Sequence, residues 1–458
     1  MTTLARRLRT FDYFTLAFGA MVGAGWLVVM DDWLTRGGPA GAMLGFALGT
    51  LLLLPVGYAY SRMVMRFPDC ASEITYTTQA FHPRVGFFAG WMMLLAYLIV
   101  CPWEAVAIGK IASHFIPALN TFPLYAFGGR VVYLPQVALG VALTALITWL
   151  NFRGIAITSK FQNWATSLFL ILFALLALFG VSKGSFGNFS PGFGHAPIVS
   201  ILLMLQVVPY FMTGFESVPK CSEESEEGYK TSHYARAIFT ALIVGGGFYV
   251  VVIAVVAFVA PWQTVAQTGF ATAAAFQHAS GSAVLVNLIF AAAVVSLVKI
   301  FNANFVAAAR MVFALGREGR LPYVFGRIHT RNQTPWAAVL FIGIVTIAAS
   351  FGGDRLLVAI SEVGSFASAV AWLATSASLA KLGNGRERMI AWAGVFVAGC
   401  FALLKVFPTI PGHFTSAEWT ALAGWIAAGI LSSASTSRKS EHVGTDVLVR
   451  TSGVKHRD

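Results

Sequence analysis

Charge is what this sequence has least of. Asp, Glu, Lys and Arg make up 11% of its 458 residues, less than half of the roughly 25% usual for soluble domains. That excludes a chain folded in water as a row of globular domains. Cysteine is scarce as well. Cys70, Cys101, Cys221 and Cys400 stand far apart, with no Cys-x-x-Cys pair and no histidine at ligand spacing, which leaves neither a zinc site nor a disulfide framework. There is no Gly-x-x-x-x-Gly-Lys-Ser/Thr phosphate loop, so the chain carries no evident ATPase. The nine histidines fall between apolar runs, at their ends or in the C-terminal tail. With no nucleophile and no paired His and Asp groups inside the runs, no catalytic constellation forms, and neither an enzyme nor a cofactor nor a metal is expected. The net charge of +12 does not point to nucleic acid, because the basic residues sit in short clusters instead of a stripe interleaved with aromatics.

What the chain has is hydrocarbon: 57% of its residues are hydrophobic. Twelve apolar runs follow one another from 11–30 and 40–61 to 389–407 and 417–435. A helix needs about 20 residues to cross the hydrocarbon of a bilayer. The pattern therefore predicts an all-α polytopic membrane protein of about 12 transmembrane helices, a single lipid-embedded domain over residues 1–435. The ninth run, 336–352, is short, and the eighth, 282–313, is long enough to tilt or project. The basic N-terminus superficially resembles a secretory signal. Its apolar stretch is long, holds Asp12 and lacks a small-residue cleavage pattern, so it is read as a retained span. The polar segment 436–458 reads as a disordered cytoplasmic tail.

Orientation follows from the 31 Lys and Arg. With the N-terminus inside, 24 of them fall in cytoplasmic segments and only Arg36, Arg130, Lys183 and Arg355 outside, leaving Lys110, Lys299 and Lys405 within spans. This positive-inside bias supports an even number of spans with both termini cytoplasmic in the plasma or inner membrane. Lys110 and Lys405 lie near external span ends, where long side chains snorkel to water.

Two spans carry helix breakers at their centres. In the first, Gly19 to Trp26 (GAMVGAGW) concentrates small residues. One reading is close packing through pairs such as Gly19 and Gly23. The other is an unwound point, whose exposed N–H groups at a half-helix start would bind a carboxylate. In the sixth, Tyr210 to Pro219 (YFMTGFESVP) holds Gly214, Glu216 and Pro219, with Pro209 just before it. Paired broken helices in corresponding halves point to an inverted-repeat transporter with a midplane site. The register gives repeats over about 11–181 and 197–380, with two added helices over 389–435.

At Gly23-Ala24-Gly25, at Thr213-Gly214-Phe215-Glu216-Ser217 with Glu223-Glu224, and at Arg310 to Pro322 (RMVFALGREGRLP), the chain resembles the amino acid/polyamine/organocation permeases from about residue 11 to about 435. The resemblance implies the leucine-transporter fold, a 5+5 inverted repeat with helices 1 and 6 broken, and alternating access. It implies a substrate carboxylate on the N–H groups of Gly23, Ala24 and Gly25. The amine would lie near carbonyls of Ala20 and Met21 and of Tyr210 and Phe211, with Thr213 and Gly214 in the same broken segment. Tyr210 matches the place of a substrate-facing aromatic, or it is a packing ring between helices. The family's Gly-Ile-Phe is here Gly25-Trp26-Leu27, which changes the side-chain environment.

Ionisable residues inside spans are functional candidates by default. Glu216 would cap freed N–H groups, pair with a lysine, or titrate during transport. Lys299 sits mid-span in the eighth run. Some family members place a lysine of the fifth helix where others hold sodium, and here Leu168 or Phe169 falls at that position. Lys299 is therefore expected to approach the same cavity from the eighth helix, as a coupling cation or as a structural partner of Glu216. Glu104 would face the cavity and select cations, or cap a kink at Pro102; it points away from Lys110. The acidic run Ser222 to Lys230 lacks a calcium-loop pattern and reads as a solvated cytoplasmic face. The expected function is secondary active transport of an amino acid or related amine, coupled to protons. Alternatives are exchange of an amino acid for its amine, or a non-transporting sensor. Oligomeric state is not legible.

Overall fold

The computed structural model describes residues 3–127 and 130–433, with side chains described for all of these except 127, 130 and 354–361. The tail expected at 436–458 lies outside the described residues. The first span is α1 (Thr10–Met21) followed by the short α2 (Gly25–Val28), and the second is α3 (Met30–Arg66). After α4 (Glu73–Ala80), α5 (Pro83–Leu98) and α6 (Val100–Phe115) continue as one rod. An antiparallel hairpin, β1 (Pro123–Phe127) and β2 (Arg130–Tyr133), leads into α7 (Leu134–Arg153) and α8 (Ile155–Lys183). The sixth span is broken into α9 (Pro197–Leu205), α10 (Val208–Met212) and α11 (Ser217–Lys220). Then come α12 (Ser232–Val259), α13 (Trp262–Val265), α14 (Ala271–Ser280), α15 (Ala283–Arg317), α16 (Trp336–Ser350), α17 (Gly353–Leu382) and α18 (Gly385–Val406), with α19 over 416–433.

Among the described residues nine helices are long and apolar enough to cross a membrane. The all-α membrane architecture holds; the hairpin was not expected. At 15 residues α16 is short, as its apolar run implied, and α15 extends to 35. Large apolar side chains such as Trp164, Leu178, Ile344 and Phe396 stand exposed around the bundle, an outer surface suited to lipid and not to water. Local chemistry sets the helix ends. Prolines open α5, α9 and α10, where a missing N–H costs nothing. Gly154, at φ +124°, makes the one-residue joint between α7 and α8, a conformation side chains rarely adopt.

The end of the bundle that carries the N-terminus is tied by charge. Arg310 holds Glu224 through two hydrogen bonds of 3.1 and 2.8 Å, and Lys220 meets Glu73 at 2.7 Å; all four side chains are buried. Arg317 bridges Asp69 at 2.6 Å and Glu223 at 2.8 Å. The arm before α1 lies on the same turn, its Arg7 and Leu8 amides donating to the Glu224 carbonyl. The run 222–230 is thus not a simple solvated face: Glu223 and Glu224 are consumed by arginines of α15. Lys405 also departs from expectation. It is buried and ion-paired with Glu362 of α17 instead of snorkelling.

Candidate functional site

The first span breaks at Val22–Ala24 and the sixth at 206–207 and 213–216. The two breaks touch. A Cβ on Gly214, which has φ +144°, would stand 2.7 Å from the Met21 nitrogen and 2.8 Å from the Ala20 carbonyl carbon, so only glycine admits this approach. Gly19 is a packing glycine, since a Cβ there would collide with Gln162 of α8 at 1.9 Å. The small-residue run thus both packs closely, at Gly19, and unwinds, at Val22–Ala24.

Unwinding frees backbone groups, and the surrounding helices take most of the carbonyls. Asn304 donates to the Ala20 carbonyl at 3.1 Å, Tyr249 to Met21 at 2.7 Å, Lys299 to Val22, and Ser296 to Gly23 at 2.9 Å. Among the described residues the amides of Gly23, Ala24, Gly25 and Trp26 meet no acceptor. A half-helix start with unpartnered N–H groups favours an anion. Gly23, Ala24 and Gly25 line a cavity of about 400 Å³, enough for a small ligand. It runs past Val28, Asp32 and Arg36 toward the end of the bundle opposite Arg9, and its wall includes the rings of Trp33, Trp103, Tyr210 and Phe211.

Of the residues singled out in the sequence, Ala20, Met21, Gly23, Ala24, Gly25, Tyr210, Phe211 and Glu104 line this cavity; Thr213, Gly214, Glu216 and Lys299 do not. Thr213 instead bonds Pro209 and Ser368, each at 2.6 Å. Glu216 caps the second break by accepting from the Gly214 amide at 3.1 Å. The lysine beside it is Lys220, which donates to the Glu216 backbone carbonyl at 2.9 Å but pairs in charge with Glu73. Lys299 does not reach Glu216. Its ammonium lies 5.0 Å from the ring centres of both Phe18 and Phe169, so the aromatic of α8 that stands in place of a lysine packs directly on the lysine of α15. Cation–π contact and the Val22 carbonyl replace water around it. Sequence reasoning missed Asp32, Gln206 and Glu362 as cavity residues. An ionisable group inside an apolar run was the one signal available; Asp32 sat just past the first run, whereas Glu362, inside the tenth run, carried that signal and was passed over.

A helical membrane protein with a ligand-sized cavity at two touching helix breaks is of the class that carries small molecules through the bilayer. A profile of the amino acid permease family matches residues 8–431, and the chain belongs to that family. It is 26% identical to the methylthioribose transporter of Bacillus subtilis over 75% of this chain and 74% of that one. It is 25% identical to a branched-chain amino acid permease of the same organism, with the same coverage. It is 24% identical to a low-affinity putrescine importer of Escherichia coli over 66% of each chain.

Proposed function

We propose that the protein carries an amino acid or related amine across the cytoplasmic membrane by alternating access, coupled to the proton gradient, with both termini inside. The reading rests on one observation above all: three adjacent residues whose amides meet no acceptor, at a break of the first span, line a ligand-sized cavity in a chain of the amino acid permease family. A substrate carboxylate docks on those amides at Gly23, Ala24 and Gly25. Twelve spans in a 5+5 inverted repeat are supported by the nine long helices, the short α16, the broken α9–α11 and the final α19. The cavity extends toward the Arg36 end while ion pairs tie the Arg9 end, an arrangement suited to loading from outside. Lys299, held on the Val22 carbonyl between α1, α8 and α15, is the coupling cation; Glu216 steadies the second break.

The test is counterflow in proteoliposomes loaded with mixed amino acids and amines, labelled candidates outside, and the pH gradient on or off. Accumulation of label that one compound competes away, strengthened by inward proton flow, is expected. Accumulation indifferent to the gradient would replace symport by exchange, and absence of flux in folded protein would refute transport.

A further inference from the structure

Glu104 is a buried carboxylate with no hydrogen bond or ion pair among the described residues, in the wall of the cavity at the helix breaks. Its side chain is 4% exposed, its Oε2 meets no donor, and it forms no ion pair among the described residues. It lies beside the first break: a Cβ on Gly23 would stand 3.1 Å from Glu104 Oε1. A buried carboxylate oxygen with nothing to accept from is costly, so an occupant that supplies donors is favoured.

The α1 carbonyls and the other charges around the cavity are already engaged, while the neutral Gln206 Oε1 and Ser365 hydroxyl join Glu104 in lacking partners. The carbonyls of Ala20, Met21, Val22 and Gly23 accept from Asn304, Tyr249, Lys299 and Ser296. Asp32 is held by Arg36 at 2.7 Å, and Glu362 by Lys405. Lys299, whose charge reaches Glu104, commits its ammonium to the Val22 carbonyl. Among the described lining residues the carboxylate that no ion pair engages is Glu104, with the rings of Trp33, Trp103, Tyr210 and Phe211 around the same space. An amino acid places its ammonium within about 3 Å of its carboxylate, a hydrogen-bond length. A carboxylate docked on the amides of Gly23, Ala24 and Gly25 thus presents its ammonium toward the neighbouring Glu104.

We propose that Glu104 is the receptor for the substrate's ammonium group, in place of the α1 carbonyls, and that the site therefore selects primary ammonium compounds and does not require their carboxylate. The proposal rests on the transport reading above for its place in a cycle, and on the cavity alone for binding.

Binding and flux separate the two. Purified wild-type protein, Glu104→Gln and Glu104→Asp are tested for binding by thermal stabilisation, and for counterflow in proteoliposomes. The probes are the L-amino acids, their decarboxylated amines, and the deaminated acids of the same side chains. Expected is wild-type binding of amino acids and amines, weakened about 30-fold or more in Glu104→Gln and less in Glu104→Asp, with no loss for any deaminated acid that binds. Ammonium probes bound equally by wild type and Glu104→Gln, or bound by neither, would overturn the proposal. Should Glu104→Gln not elute as a monodisperse peak, an unchanged affinity in Glu104→Asp overturns it and a weakened one supports it. Wild-type binding without flux would leave this assignment standing and refute transport.

Discussion

Arg310 and Glu224 make the most demanding test of how the N-terminal end of the bundle is held shut. Two charge-assisted hydrogen bonds of 3.1 and 2.8 Å join them, at side-chain exposures of 1% and 0%. Arg310→Met keeps the apolar stem but strands the Glu224 carboxylate in a site that water does not reach, and Glu224→Gln strands the guanidinium. Each single change is expected to cost about 3–5 kcal/mol, because the remaining ion keeps its desolvation penalty and loses its partner. The double variant removes both charges, so its cost should fall below that of either single change, to about 0–2 kcal/mol. Glu224 also anchors the Arg7 and Leu8 amides through its backbone, so the single variants should additionally expose the arm to protease. Equilibrium unfolding in mixed micelles, followed through the 12 tryptophans as the SDS fraction rises, gives the free energies. A loss under about 1 kcal/mol in either single variant, or a double variant as unstable as the two losses added, would refute the reasoning.

Two further outcomes bear on the site itself. Lys299→Met keeps the length and the contacts with Phe18 and Phe169 but removes the charge on the Val22 carbonyl, so uptake should lose its dependence on the proton gradient; uptake and pH response both unchanged would rule out Lys299 as the coupling cation. Gly25→Ala puts a methyl 2.7 Å from the Phe211 ring, which must swing into the cavity. The concentration for half-maximal uptake should rise roughly tenfold, the equivalent of about 1.4 kcal/mol, with the folded yield unchanged, and an unaltered value would show that the ring does not border the substrate.

The sequence alone determined the solvent of this protein. So little charge and so many apolar runs leave only helices in lipid, since no other open structure satisfies its own backbone there. It also located both breaks, because glycine and proline act on the backbone at the position where they stand. The tertiary structure decided where each side chain points. A helix turns 100° per residue, and in a span that is apolar on every side nothing in the sequence says which face meets a neighbour. Hence the family match of Glu216 and the mid-span place of Lys299 were legible, but not that one caps its own break and the other sits on Val22 against Phe169. Glu104 could be read two ways until α6 was seen to turn it into the cavity. The acidic run 222–230 looked solvated because its partners, Arg310 and Arg317, lie 86 and 94 residues away along the chain and meet it only when α15 packs beside it. Pairings of that range are made by packing, and no local pattern announces them.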